Sequence, residues 1–313
     1  MEFDLIARIR DRAPGRADVV LGIGDDAALL QVPPGMQLVV AMDTLNAGVH
    51  FPVATAPADI GWKALAVNLS DLAAMGAQPA WCTLSLSLPE AGAAFVDGFL
   101  DGFLELAARH DVSLVGGDTT RGPLSVCVTM HGLVEPGRAL RRAGAGVGDD
   151  VWVTGTPGDA AAALAALQAG AAVDRSLRAR LDRPTPRVAA GRALAGVASA
   201  CIDVSDGLLA DLGHICAASG VGACIELDRL PASPALSRFK PDLRWPWQAT
   251  GGDDYELCFT APAAQRETVV DALAATGEIA ATRIGRIDAS TGVRAQCPDG
   301  TAWTPAMPGY RHF

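Results

Sequence analysis

Lysine is almost missing from this chain: only Lys63 and Lys240 occur among 313 residues. Acidic side chains outnumber Lys and Arg by 35 to 25, which leaves a net charge of -10. That balance excludes bulk binding to nucleic acid or to an anionic membrane surface, since both require a basic face. It leaves room for a phosphorylated small substrate, because a bound metal ion supplies positive charge locally. No apolar run approaches the roughly 18 residues that a membrane span needs. The mixed-charge opening MEFDLIARIRDR does not read as a signal peptide. The seven cysteines include no C-x-x-C pair, so zinc or dithiol chemistry is not indicated. They read as buried, reduced thiols, and the protein reads as cytoplasmic.

Familiar catalytic signatures are missing as well. There is no G-x-x-x-x-G-K-[ST] phosphate loop, no G-x-G-x-x-G opening a helix after the first strand, and no G-x-S-x-G. The protein-kinase HRD and DFG strings are also absent. The five histidines are scattered without ligand spacing, and His110, His131 and His214 read as structural. His50 stands apart, because it follows Asp43 closely in MDTLNAGVHF.

Half of the residues are hydrophobic, enough for a sizeable core in one large or two medium domains. Strands are expected at 18–23, 37–42, 80–88, 112–115 and 124–134. Long helices are expected at 57–75, opened by Pro57 and stopped by Gly76 and Pro79, and at 91–110. The string GGDTTRG reads as a loop between two strands. The glycine- and arginine-rich stretch EPGRALRRAGAGVG marks a boundary. Beyond it, alanine-rich helices at 158–169, 186–198 and 207–219 alternate with strands at 151–154, 201–204, 223–227, 256–260 and 279–287. The expected class is α/β (α+β) in two domains, residues 1–137 and 138–313.

The informative feature is the placement of aspartates. Asp25 and Asp26 lie in LGIGDDAALL, Asp43 ends LVVAMD, Asp71 lies inside ALAVNLSDLAAM, and Asp118 follows SLVGG. Asp203 and Asp206 sit in SACIDVSDGLL, and Asp253 and Asp254 in TGGDDYELCF. Apolar neighbours predict burial for each, and a buried unpaired carboxylate costs several kcal/mol. A single aspartate has local explanations, such as a cap or a turn; Asp206 is placed to cap a helix starting at Gly207. Asp71 falls mid-helix, where Asp is disfavoured. Two lysines cannot neutralise so many acids. The economical expectation is convergence on divalent cations, and oxygen donors without His or Cys select magnesium, manganese or calcium.

Six motifs together carry a family resemblance. GIGDDAALL, MDTLNAGVHF, KALAVNLSDLAAMGAQP, GGDTTRGPLS, IDVSDGLLADLGHI and GGDDYELCF stand in the order seen in thiamine-monophosphate kinases, and the similarity runs on to the terminal GYRHF. The chain resembles that family, whose wider group includes aminoimidazole ribonucleotide synthetase, selenophosphate synthetase and a hydrogenase-maturation enzyme. The resemblance implies transfer of the γ-phosphoryl group of ATP to thiamine monophosphate. It implies several Mg2+ ions, a homodimer whose N-terminal domains pair their sheets, a C-terminal α/β sandwich, and nucleotide bound in a cleft between domains.

Carried over by motif, Asp26, Asp43, Asp71, Asp118, Asp203 and Asp206 would be magnesium ligands. Gly117, Asp118, Arg142 and Ser205 would bind ATP, and His50, Asp253 and Tyr310 would bind the thiamine substrate. No side chain is required as a general base. Two positions depart from the family pattern. Ala41 and Met42 stand where hydroxyl residues usually precede the aspartate, which puts the number of metal ions in question. Asp253 replaces a more usual glutamate and shortens the reach to substrate by one methylene. The related enzymes fit less well. No cysteine precedes Cys82 to serve selenophosphate chemistry, and the chain closes on Arg311-His312-Phe313 rather than on an acceptor cysteine.

Overall fold

The computed structural model describes residues 2–90, 92–277, 279–307 and 309–310. They form two compact units. One comprises residues 1–72 and 77–137, the other 73–76 and 138–313.

The first unit runs α1 (Glu2–Arg12), β1 (Val19–Leu21), β2 (Leu29–Leu30), β3 (Gln37–Asn46), α2 (Pro57–Ala74), β4 (Gln78–Leu88), α3 (Ala93–Arg109), β5 (Ser113–Arg121) and β6 (Ser125–Val134). Pro57 opens α2 and Asp59 lies in its first turn, both favourable at a helix start. The expected start of α3 at Ala91 lies outside the described residues. The main sheet has the order β3-β6-β4-β5, with β4 and β5 parallel and the other pairs antiparallel. Alternation sends Val126, Val128 and Met130 of β6 to a buried face. Leu38, Val40 and Met42 of β3 stand on an uncovered face, at 46%, 56% and 63% exposure.

One expectation fails instructively. GGDTTRG is not a loop: β5 continues through it to Arg121, with Gly117 opposite Leu84 and Asp118 opposite Ser85. Pairing with β4 overrides the local preference of two glycines for a turn. Gly117 holds φ 148°, and a Cβ there would lie 1.9 Å from the Leu84 carbonyl oxygen. Only glycine lets the two strands approach so closely.

The second unit contains β7 (Asp150–Thr154), α4 (Asp159–Gln168), α5 (Arg175–Asp182), α6 (Val188–Leu194), β8 (Ala200–Asp203), α7 (Leu208–Ser219) and β9 (Gly222–Glu226). After these come α8 (Pro241–Thr250), β10 (Leu257–Ala261), α9 (Arg266–Ala274), β11 (Ala281–Asp288), β12 (Gly292–Gln296) and β13 (Ala302–Trp303). Their sheet has the order β13-β12-β9-β11-β7-β10-β8, antiparallel except for β9 beside β12. Leu208, Leu212 and Ile215 of α7 join Val151, Val153, Ile202 and Ile225 in its core. The helix expected over 186–198 is shorter, ending at Leu194. The sequence reading does not identify α5, α8 or α9. Mixed helices and sheets in both units agree with the α/β expectation. No helix among the described residues is long and apolar enough to cross a membrane.

Candidate active site

In the first unit, α2 packs with Leu72 against Gly132 of β6 and with Gly61 against Phe99 of α3, and it reaches β3 through Asn68. The backbone N–H of Asp43 donates to Oδ1 of the buried Asn68 at 3.0 Å. Asp71 lies three residues beyond Asn68, so the two share a helix face. Nearer the start of α2, the buried Lys63 donates through Nζ to the His50 carbonyl oxygen at 3.0 Å. His50 Nδ1 in turn accepts the Asn46 N–H at 2.9 Å, which fixes the ring against the turn that follows β3. Side chains of α2 thus tie Asp43 and the His50 loop to the helix that carries Asp71.

The opposite edge carries a second acidic group. Ile23, just ahead of the Asp25-Asp26 turn, lines a cleft of about 80 Å³ together with Gly116, Gly117 and Asp118 of β5. The Asp26 N–H donates to Asp25 Oδ1 at 2.8 Å. β3 and β5 are the outer strands of the four, so Asp43 and Asp118 sit about 14 Å apart across the sheet. Burial does not hold for every acid: Asp25, Asp26 and Asp118 are exposed, and Asp43 and Asp71 are half-buried. Apolar neighbours do not guarantee burial here, since Leu29, Val40 and Met42 are themselves exposed.

In the second unit, the site residues surround the turn from β8 to α7. The Asp253 N–H donates to the Ser205 carbonyl at 2.9 Å, and the Tyr310 N–H donates to the Asp206 carbonyl at 2.9 Å. Val204 and Glu256 continue the ladder, with the Val204 N–H on the Glu256 carbonyl and the Tyr255 N–H on the Val204 carbonyl, each at 2.8 Å. Asp203, Ser205, Asp206, Asp253 and Tyr310 are therefore brought to one place. Arg311, His312 and Phe313 lie outside the described residues. Tyr255 donates its hydroxyl to Asp253 Oδ1 at 3.0 Å. Asp253 and Tyr255 both adopt positive φ, 66° and 52°, a conformation costly for residues with a Cβ. Arg142 is not with this group. Its carbonyl accepts from Ser219 at the far end of α7, a helix of 12 residues spanning about 18 Å.

Three buried acids, Asp211, Asp159 and Glu256, are not singled out by the sequence, whereas Asp254 is buried as expected. Asp206 does not cap α7. Instead, Asp211 Oδ2 accepts the backbone N–H groups of Ser205, Asp206 and Gly207, at 3.1, 3.1 and 3.0 Å. Burial, with the charges of Asp203 and Asp206, pushes the Asp211 carboxyl up to about 7 against those backbone donors. Asp254 accepts the Gly158 N–H with both oxygens, at 2.8 and 2.9 Å, and burial raises its pKa well above the usual range. Burial likewise raises Asp159, despite hydrogen bonds from Ser233 and Thr156. Burial also works against ionisation of Glu256, but Arg187, Arg180 and Thr154 outweigh it and hold this carboxyl below its ordinary value. Apart from Thr156, three residues before Asp159, and the 205–207 turn just before Asp211, these partners lie 69 or more residues away and carry no local signal in the sequence.

No three or more His, Cys, Asp or Glu side chains among the described residues stand close enough to hold a metal ion by themselves. The donor chemistry still fits magnesium, which takes one or two carboxylates and completes its shell with water and phosphate oxygens. Short acids in pairs, without nitrogen or sulfur donors, suit that cation.

Comparison with known proteins gives the setting. Residues 24–134 match the family described as AIR synthase related protein, N-terminal domain, and residues 146–298 match its C-terminal domain. The chain is 50% identical over 319 residues to the thiamine-monophosphate kinase of Escherichia coli strain K12, covering 100% of this chain and 98% of the relative. It is similar to the crystal structure of thiamine-monophosphate kinase from Stenotrophomonas maltophilia K279a, with a TM-score of 0.89, 57% identity and coverage of 96% and 98%. It is also similar to AaThiL complexed with AMPPCP and TMP, with a TM-score of 0.79, 32% identity and coverage of 99% and 96%.

Proposed function

The chain belongs to the thiamine-monophosphate kinase family, and from that membership we infer that it transfers the γ-phosphoryl group of ATP to thiamine monophosphate, yielding ADP and thiamine diphosphate. The observation that carries this reading is similarity along the whole chain, 50% identity to one such kinase. A relative held with AMPPCP, an ATP analogue, and TMP supports the two substrates. The enzyme is a phosphotransferase with a phosphate as acceptor, serving thiamine diphosphate biosynthesis.

The first domain, residues 1–137, contributes Asp26, Asp43, Asp71 and Asp118 as magnesium ligands, with Gly117 and Asp118 at ATP and His50 at the thiamine substrate. The second, residues 138–313, contributes Asp203 and Asp206 to metal, Ser205 and Arg142 to ATP, and Asp253 and Tyr310 to substrate. Two observations support this assignment. α2 carries Asp71 and binds Asp43 and the His50 loop through Asn68 and Lys63, and the β8–α7 turn gathers Asp203, Ser205, Asp206, Asp253 and Tyr310. The reach of Arg142 is the weakest link, because its backbone sits at the other end of α7.

The acceptor oxygen of a phosphate monoester is already ionised near neutral pH, so no side chain has to remove a proton. The obstacle is repulsion: each unit-charge pair at 4 Å costs about 4 kcal/mol at an effective dielectric of 20. Magnesium bound by these aspartates supplies the compensating charge. The protein's own residues hold the two anions in line. Gly117 and Asp118 line the cleft beside β5 that would take the nucleotide phosphates, His50 is held by Asn46 and Lys63, and Asp253 is held by Tyr255. No phosphoenzyme is involved.

The exposed Leu38, Val40 and Met42 support a homodimer formed through the first domain's sheet. All seven cysteines are free, which supports a cytoplasmic location. Incubation of the protein with ATP, MgCl2 and thiamine monophosphate should give equal amounts of ADP and thiamine diphosphate. Release of neither product would overturn the reading.

A further inference from the structure

We propose that Asp211 is a positioning residue for phosphoryl transfer: its buried carboxylate holds the 205–207 turn so that Ser205 and Asp206 face the nucleotide and its metal. This rests on the roles given to Ser205 and Asp206 above. Three consecutive backbone N–H groups, from Ser205, Asp206 and Gly207, converge on the single oxygen Oδ2 of Asp211. The side chain is 3% exposed. Such a row of N–H groups at a helix start is an anion site. Here the anion is internal, so the donors are already satisfied and cannot be offered to a phosphate. The start of α7 is thereby removed from direct phosphate binding, and contact with the nucleotide falls to the Ser205 hydroxyl and the Asp206 carboxylate.

The geometry explains the direction of those side chains. With the three N–H groups turned inward, the Ser205 side chain is exposed and that of Asp206 half-buried. The outer side of the turn is tied by the Asp253 and Tyr310 N–H groups on the Ser205 and Asp206 carbonyls. Gly207 completes the turn at φ 127°, where a Cβ would meet the Thr250 carbonyl oxygen at 2.7 Å. Among the described residues, Asp211 is the side chain whose carboxylate bonds all three residues from within. A shorter or uncharged side chain leaves the outer ties in place and frees the turn to rotate about them.

The test uses full-length Asp211→Asn, with Asp206→Asn as reference, in ATP and thiamine monophosphate assays across a MgCl2 titration. Asn keeps the size and one acceptor oxygen but removes the negative charge that draws the three donors together. Asp211→Asn should melt cooperatively, lose about tenfold or more in kcat, and need more MgCl2 for half-maximal rate, as loss of an outer support for a metal ligand does. Its KM for thiamine monophosphate should change by less than about threefold, because the backbone ties of Asp253 and Tyr310 to the turn and the Tyr255–Asp253 hydrogen bond stay in place; a merely structural role would not split the parameters this way. Wild-type kcat and magnesium dependence in Asp211→Asn, with Asp206→Asn impaired, would overturn this proposal alone. Wild-type behaviour of Asp206→Asn would instead remove the role of Asp206 on which it rests. If Asp211→Asn does not melt cooperatively, Asp211→Ser replaces it, judged by the same parameters. Failure of both to fold would make Asp211 a folding residue and also overturn the proposal.

Discussion

Replacing Arg187 with Met should destabilise the second unit by an amount set at Glu256. That carboxylate has no exposed side-chain surface. It receives Arg187 Nε at 2.7 Å, Arg187 Nη2 at 2.5 Å, Arg180 Nη2 at 2.6 Å and Thr154 Oγ1 at 2.6 Å. Arg187→Met removes two of these four donors and one of two positive charges while leaving the acid in place. Breaking a buried pair from one side costs about 3–5 kcal/mol, because the remaining charge stays desolvated. Arg180 and Thr154 remain, so the lower end, about 3 kcal/mol, is expected. For a unit of this size that lowers Tm by about 6–12 °C. Differential scanning calorimetry of the wild type, Arg187→Met, Glu256→Met and the double variant measures it. The double variant should lose less than the two single losses combined, since neither partner is then left charged and alone. A Tm within about 2 °C of the wild type for Arg187→Met, or strictly additive losses, would refute the reasoning.

Other outcomes follow from the same structure. Asp43→Asn and Asp71→Asn should each abolish turnover at saturating MgCl2 while leaving the thermal transition nearly in place, and EDTA should stop the wild type without unfolding it; full activity in either variant would remove that residue from the metal set. Gly117→Ala should fail to give active, stable protein, because its Cβ would meet the Leu84 carbonyl oxygen at 1.9 Å; a wild-type melting curve would show that β5 does not approach β4 as described. Acid should also destabilise the fold through Glu256 and Asp150, whose carboxyls are held below their ordinary values of 4.5 and 3.8. Both bind protons more weakly folded than unfolded, so their contribution is present above about pH 5 and fades as pH falls through the folded values. Glu256→Gln should therefore flatten the fall of Tm below about pH 4.5, and a curve parallel to the wild type would contradict this.

Much of the architecture could be read locally. The helix containing Asp71 was marked by Pro57 at one end and Gly76 at the other. The strands ending near Asp43 and Asp203 were marked by β-branched and apolar runs. These signals are local, because a helix start or a strand pleat depends on residues a few positions apart. The error at GGDTTRG shows the limit. Two glycines lower strand propensity, yet a neighbouring strand supplied the hydrogen bonds that decided the matter. Of the short helices, α5 and α9 carry i, i+4 apolar pairs, Leu177 with Leu181 and Val269 with Leu273, too short a period to stand out, while α8 holds Pro246 in its interior, which argues against a helix locally.

The sequence alone determined which residue types are available: many aspartates, two lysines, and six ordered motifs that mark a phosphoryl-transfer family. Tertiary structure alone decided which of them meet. It placed Asn68 against Asp43, Asp211 beneath the 205–207 turn, Tyr310 on Asp206, and Arg187 on Glu256, 69 residues away. It also set which acids are buried and which stay wet. Hydrogen bonds and desolvation act over a few ångströms of space, and chain separation carries no information about either until the fold has closed that distance.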